Sequence, residues 1–442
     1  MNYPSSNNIV YKRKRLYDYA LAMLALLMPL VVKGFPVLIV IAATIGIAYF
    51  FRAYQRLGKP KKDYYILPYN LLKDAFVNIF KFKGPLLLMV ILFFVYFAST
   101  FISFNKSLAF QKIILKSCYL YFPIIFSLTK WDKSRLLLVL DFFIYGCCLQ
   151  VLISLLDAFW ASGFQFNSFE FTYVNLSFNL HPGYAAFLVN IGFIFNSIRI
   201  ISLYKEKSSL SGNWWRLIAL VGFLAYIMLL SSKAGILTIM VTIVTLIVYS
   251  LIIFRSLKFS IFLILFSLSI VSMFSYIFGG RALIRYNRMK NSIEKKQELT
   301  DKTKKISSSS IRLVLWKNSW EAIKKSNYLG YGLGSGKKAL QNNLKINEEK
   351  FVFGLNHNAH NQFLEIMLSI GFVGFLFLIS ILLTSFIGFG QFTTISMLLI
   401  FIITVNFGVE SMMEKQSGSI PIVWLLCLLA SGKPIFKSVF KF

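Results

Sequence analysis

Apolar runs of roughly 20 residues, the length that takes a helix through a hydrocarbon core, recur along the whole of this 442-residue chain. We count twelve, over 16–33, 35–51, 85–104, 111–129, 136–159, 183–203, 214–231, 234–254, 259–279, 361–387, 392–409 and 419–435. In lipid every backbone N–H and C=O must find its partner within its own segment, so such runs fold as helices. The expected fold is all-α: a polytopic membrane bundle of about 12 transmembrane helices. With 57% hydrophobic and 14% charged residues, the composition is not that of a soluble domain. The basic start, "YKRKR", leads into the first run without an A-x-A-like site, so no cleavable signal peptide is expected.

The formal net charge of +30 raises the question of a nucleic-acid partner. Topology answers most of it. Lys12, Arg13, Lys14 and Arg15 precede the first run. With twelve spans, the Lys/Arg-bearing loops at 52–84, 130–135, 204–213 and 255–258 fall on the same side, as does the tail with Lys433, Lys437 and Lys441. Residues 160–182, on the other side, carry no Lys or Arg. By the positive-inside rule both termini lie in the cytoplasm, and no nucleic acid is expected. The four cysteines, Cys118, Cys147, Cys148 and Cys427, all fall inside apolar runs without metal-ligand spacing and read as packing residues.

The same count divides the chain into helices one to nine (1–279), a large outer loop (280–360) and helices ten to twelve (361–442). The loop holds 17 Lys/Arg against 6 Asp/Glu. Loops this long cross regardless of charge, so orientation does not require its basic character. Within it, "SSSSIRLVLWKNSWEAIKKS" sets Ile311, Leu315, Ser319, Ala322 and Ile323 at helical spacing behind a serine N-cap, which predicts an amphipathic helix on the membrane or across the bundle mouth. Glycines at 330, 332, 334 and 336 follow, then a short helix.

Two of the three histidines stand in "NHNAHNQFLE", at the mouth of the tenth run. His357 and His360 are three apart and share a face if the segment is helical. A helix N-terminus disfavours protonation of a nearby imidazole, and a neutral histidine serves as a general base near neutral pH. Asn361 is placed to cap the helix and to reach Glu365. The competing readings are interfacial caps without chemistry and a zinc site; the second lacks ligands beyond the pair, so no metal or cofactor is expected. The third histidine, His181 in "NLHPGYAAF", falls on the same face with Tyr184. Lys233, in the outer turn "SSKAG", reads either as a snorkelling lysine or, with Arg312, Gly332 and Gly334, as part of a diphosphate site. Glu410 and Glu414 lie in or beside the last outer loop.

Taken in order, "SSKAG", "IRLVLWKNSWEAIKKSNYLGYGLGSG", "HNAHNQFLEIMLSIGFVGF" and "ESMMEKQSG" resemble the O-antigen ligase and polymerase family of membrane glycosyltransferases, and "HPGY" resembles a subset of it. The resemblance covers most of the chain from residue 181 onward. It implies a GT-C-like bundle in the bacterial inner membrane, with the active site on the periplasmic face. It implies transfer of a glycan from an undecaprenyl-diphosphate donor to a hydroxyl acceptor, either lipid A-core (a ligase) or another glycan (a polymerase), without metal or nucleotide sugar. His360 occupies the position of the family's loop histidine, with His357 and Glu410 as helpers, and Arg312 that of an arginine. Lys233 stands where arginine is common, keeping the charge without the fork. The rival of another class is a transporter or flippase for lipid-linked glycans, expected to show repeat halves and helices broken near the midplane; neither is evident in the sequence.

Overall fold

A computed structural model describes residues 6–30, 67–82, 84–165, 170–205, 212–254, 308–387 and 394–431, with isolated positions between 261 and 272. Among the described residues the structure is helical and holds no strand. The first half comprises α1 (Ser6–Leu27), α2 (Leu67–Phe82), α3 (Pro85–Thr100), α4 (Lys106–Lys116), α5 (Cys118–Leu128), α6 (Lys133–Ala161), a one-turn α7 (Tyr173–Leu176), α8 (Pro182–Lys205), α9 (Trp215–Leu230) and α10 (Lys233–Phe254). The second half comprises α11 (Ser308–Lys325), α12 (Gly336–Ile346), a short α13 (Lys350–Gly354), α14 (Gln362–Ile387), α15 (Thr394–Val409), a 3-10 turn at Met412–Glu414, and α16 (Gln416–Ser431).

Four helical stretches are long and apolar enough to cross a membrane: Lys106–Leu128, Lys133–Ala161, Pro182–Leu203 and Gln362–Ser385. The bent pair 73–80 and 85–100 makes a fifth if it is one span. Shorter apolar helices occupy most of the other expected spans, including Trp215–Leu230, Ile395–Val409 and Gln416–Ser431. The expected span at 35–51 and the loop from 280 to 307 lie outside the described residues, as does the span at 259–279 apart from the isolated positions between 261 and 272.

One apolar core ties the bundle together. It contains Tyr96, Phe122, Phe143, Phe187, Phe195, Phe223 and Trp424, all at most 2% exposed, with Phe143 stacked on Trp424 at 5.6 Å. Outward-facing Phe94, Phe97, Leu152, Leu156 and Val244 present large apolar surfaces, as lipid-facing positions do.

A second, smaller core explains where the loop helix goes. Leu315, Ala322 and Ile323 of α11 pack with Leu340 and Leu344 of α12 against Met367 and Leu368 of α14. The stripe set by the sequence spacing is thus buried, and α11 lies across the bundle at the start of α14. The helix α14 itself is broken, which the reading of 361–387 as one continuous span does not contain. Ile370 and Gly371 leave helical geometry, Gly371 with φ +70°. The turn after α11 fills the break: Phe372 N donates to Tyr328 O at 2.8 Å and Tyr331 N to Leu368 O at 2.9 Å. A Cβ on residue 371 would stand 2.4 Å from Tyr328 O, so only glycine admits this approach. A broken helix is what the transporter reading expected, but here loop backbone satisfies the groups freed at the break rather than leaving them to a transport path.

Candidate functional site

The site is assembled where α14 begins. Asn361 is its N-cap: its Oδ1 accepts from Phe363 N at 3.0 Å and Leu364 N at 3.1 Å. The helix therefore starts at Gln362, and His357 and His360 sit in the preceding loop rather than on a shared helical face. His360 adopts φ 45°, a left-handed conformation uncommon for a non-glycine residue. Asn358 Oδ1 accepts from His360 N at 3.2 Å, and Trp316 Nε1 of α11 donates to His360 O at 3.4 Å. That turn brings the two imidazoles edge to face, 5.0 Å apart between centroids.

The last loop supplies the partner. His360 Nδ1 lies 2.9 Å from Glu410 Oε2. Burial alone would raise the Glu410 carboxyl, but the hydrogen bond and charge of His360, together with His181 and Arg312, hold it below the ordinary carboxylate range. An ionised carboxylate only accepts, so Nδ1 is the donor to Glu410, and in the neutral imidazole this leaves Nε2 as the acceptor. His357 is pushed down, first by partial burial and then by the charges of His360 and Lys337, and is neutral near pH 7. The loop holding Glu410 is stitched to the same turn. Asn361 N donates to Ser411 Oγ at 3.2 Å, Asn361 Nδ2 to Gly408 O at 3.1 Å, and Met413 N to Gln362 Oε1 at 2.7 Å.

Cations border this pair. Arg312 Nη2 stands 3.8 Å from Glu410 Oε2, with the arginine side chain 27% exposed, which leaves its fork open to a further anion. Lys233 Nζ donates to Ser309 Oγ at 3.0 Å. Ser309 and Arg312 are three apart on α11, so the lysine tip meets the helix turn that carries the arginine. His181 precedes α8, which opens on Pro182 at the first helical position. Partial desolvation lowers its proton affinity; Glu410 opposes this, while Lys415, His360 and Arg312 add to it. Tyr184 meets the His181 ring edge to face, and its buried hydroxyl has no partner among the described residues.

Other candidates stand apart. Gly332 packs its backbone on Ser103, where an added Cβ would lie 2.6 Å from Ser103 Cα. Gly334 lies against Leu108 and Ala109. These glycines dock the turn onto the α3–α4 corner. Glu365 does not meet the Asn361 side chain; it is 1% exposed and accepts from Ala359 N at 3.1 Å, bracing the loop from behind. Glu414 is held by Lys112 and by Lys116 at 2.9 Å, and its carboxyl, which burial would raise, is driven well down by those two charges. The sequence reading omitted Ser411, Trp316, Lys112 and Lys116. The lysines left a legible signal: two cations one turn apart inside an apolar run demand an anion.

No group of three or more His, Cys, Asp or Glu that could hold a metal ion occurs among the described residues. A carboxylate-oriented histidine with an open arginine beside it suits proton abstraction from a hydroxyl next to an anionic leaving group. A search of curated proteins finds no match to the chain. Residues 218–379, from α9 to α14, match the family model described as O-antigen ligase. The apolar helices mark a membrane protein, and the matched family is of ligase or polymerase type. Over residues 218–379 the chain is thus similar to the O-antigen ligase family, which bears out the resemblance for "SSKAG", "IRLVLWKNSWEAIKKSNYLGYGLGSG" and "HNAHNQFLEIMLSIGFVGF", the motifs within those bounds.

Proposed function

We infer that the protein transfers a glycan from a polyprenyl-diphosphate donor to a hydroxyl acceptor at the periplasmic face of the inner membrane, in the manner of an O-antigen ligase with lipid A-core as acceptor. The observation that carries this reading is the His360–Glu410 pair, 2.9 Å apart, with Arg312 at 3.8 Å from the same carboxylate oxygen. His360 Nε2 removes the proton from the attacking hydroxyl as its oxygen bonds the anomeric carbon. Glu410 fixes the tautomer and stabilises the imidazolium that forms. The bond from the anomeric carbon to the diphosphate oxygen breaks, and Arg312, with Lys233 beside its helix turn, offsets the charge left on the departing diphosphate. Arg312 serves this role while its contact with Glu410 stays loose.

The test is the surface-glycan profile of a deletion strain complemented with wild type or His360→Ala. Bare lipid A-core in the deletion strain, with long glycan retained on its carrier, identifies a ligase; core bearing one repeat unit identifies a polymerase of the same family. His360→Ala is expected to insert normally and to leave the deletion phenotype uncorrected. A wild-type profile from His360→Ala would remove the histidine from the mechanism and favour a transporter.

A further inference from the structure

Next to the histidine turn lies an open concavity, about 550 Å³ in volume, between the start of α4 and the loop helices α12 and α13. That volume is within the roughly 300–1,000 Å³ of small-molecule sites. Its lining is polar in a specific way. Asn105, Gln341 and Asn356 bring amides, Lys337 and Lys338 bring cations, Phe353 brings an aromatic face, and no acidic residue takes part. Among the described residues neither lysine has a carboxylate partner within ion-pair distance.

The lysines are also in an unfavourable place. They occupy the first turn of α12 (Gly336–Ile346), where the helix dipole disfavours cations. Two ammonium groups and a helix N-terminus thus add their fields on one wall of a cavity, which an anion relieves. The amides suit a polyhydroxylated ligand: Asn105 Oδ1 is occupied as the cap of α4 and Gln341 Nε2 by His357 O, which leaves the Asn105 amide N–H donors and the Gln341 amide oxygen for ring hydroxyls. Phe353, 40% exposed, offers the apolar face on which a sugar ring rests. Finally, the cavity is joined to the site already described. Gln341 Nε2 donates to His357 O at 2.7 Å, and the His357 ring lies 5.0 Å from that of His360.

We propose that this cleft is a saccharide subsite for an acidic sugar, one bearing a carboxylate or a phosphate, within the glycan handled at His360. Only the identity of that larger glycan rests on the glycosyl-transfer reading; the chemistry of the cleft stands on its own residues.

The experiment is calorimetric titration of the full chain in nanodiscs with trigalacturonate, with maltotriose as the neutral trisaccharide and inorganic phosphate as the bare anion. Trigalacturonate is expected to bind at least tenfold more tightly than maltotriose or phosphate. Lys337→Gln/Lys338→Gln should weaken it at least tenfold, and Lys337→Arg/Lys338→Arg should restore most of it. Equal binding of the two trisaccharides, phosphate binding as tightly as trigalacturonate, or no loss in the glutamine variant would overturn the proposal. A glutamine variant that melts well below wild type is replaced by Gln341→Leu, held to the same tenfold criterion. His360→Ala separates the two readings: it should bind trigalacturonate as wild type does. If it binds normally and also transfers glycan normally, glycosyl transfer by His360 fails while the cleft stands. If it loses transfer while the lysine variant binds like wild type, the cleft fails while the transfer reading stands.

Discussion

At the scale of single residues, the proposed chemistry depends on a proton being on the right nitrogen. Glu410 enforces this by accepting from Nδ1 of His360 at 2.9 Å. Glu410→Gln keeps the shape but offers the imidazole a group that donates as well as accepts, so the tautomer is no longer fixed. Transfer by Glu410→Gln is expected to fall about 10²–10⁴-fold, the usual share of an oriented general base, with donor binding little changed. A single-turnover assay with purified donor reads this directly; a rate within about twofold of wild type would sink the assignment. The reciprocal effect is a titration. His360 is what chiefly opposes burial at Glu410, so His360→Ala leaves burial less opposed and the carboxyl of Glu410 should titrate at higher pH. Difference infrared spectra of the carboxyl band against pH, with Glu410→Gln to assign it, should show the upward movement. A band that titrates at the same pH in wild type and His360→Ala would mean the two side chains do not communicate.

At the scale of elements, the loop that carries Glu410 is held from two sides. Hydrogen bonds to Asn361 and Gln362 hold it to α14, and Glu414 bolts it to α4 through Lys112 and Lys116. Lys116 is fully buried and also donates to Met413 O at 2.7 Å. Removing the carboxylate strands two lysines, and breaking a buried pair in this way costs about 3–5 kcal/mol. Glu414→Gln should therefore melt well below wild type at neutral pH. The pH dependence has a definite sign. The folded carboxyl is depressed below its unfolded value of about 4.3. Its stabilisation is complete above that pH and is lost as the pH falls toward the folded value. The melting gap should be constant from pH 7 to about 5 and narrow below about 4. A gap that is absent at neutrality, or that widens in acid, contradicts the bolt. This element was half legible: "ESMMEKQSG" marked the loop, while its anchor lay some 300 residues away in two lysines that the sequence reading passed over. The glycines misled for a related reason. Spacing shows that backbone needs freedom at 330–336, but not whether a phosphate or, as at Ser103, another backbone approaches.

At the scale of the whole molecule, helical periodicity and apolar length made the bundle legible, because lipid and core impose the same period on every run. What they did not convey was which helices meet and where a helix breaks, since both follow from tertiary partners such as Tyr328 at Gly371. The molecule also keeps its main polar clusters at separate ends. Arg199 grips Asp141 with two bonds, at 2.8 and 2.9 Å, and Arg216 adds a third at 2.9 Å. This cluster joins α6, α8 and α9. Arg199 lies 18 residues beyond His181, which precedes α8, roughly 27 Å at 1.5 Å per residue, so α8 has His181 at one end and the ion cluster at the other. Asp141 lies inside an apolar run, a position that by itself admits a functional or a structural role. Its partners make it structural: one carboxylate holds two guanidinium groups, and neither arginine is released to a ligand. Asp141→Asn should cost about 3–5 kcal/mol by leaving both arginines without their counter-charge, seen as a lower melting temperature of the detergent-solubilised chain. Because the cluster is a helix length from His181, the transfer rate per folded molecule at low temperature should stay within about twofold of wild type, whereas Glu410→Gln should show the opposite split, a lost rate on a fold that melts near normally. If Asp141→Asn abolished transfer while melting like wild type, the acid would belong to the chemistry and the separation of bundle stability from catalysis would be wrong.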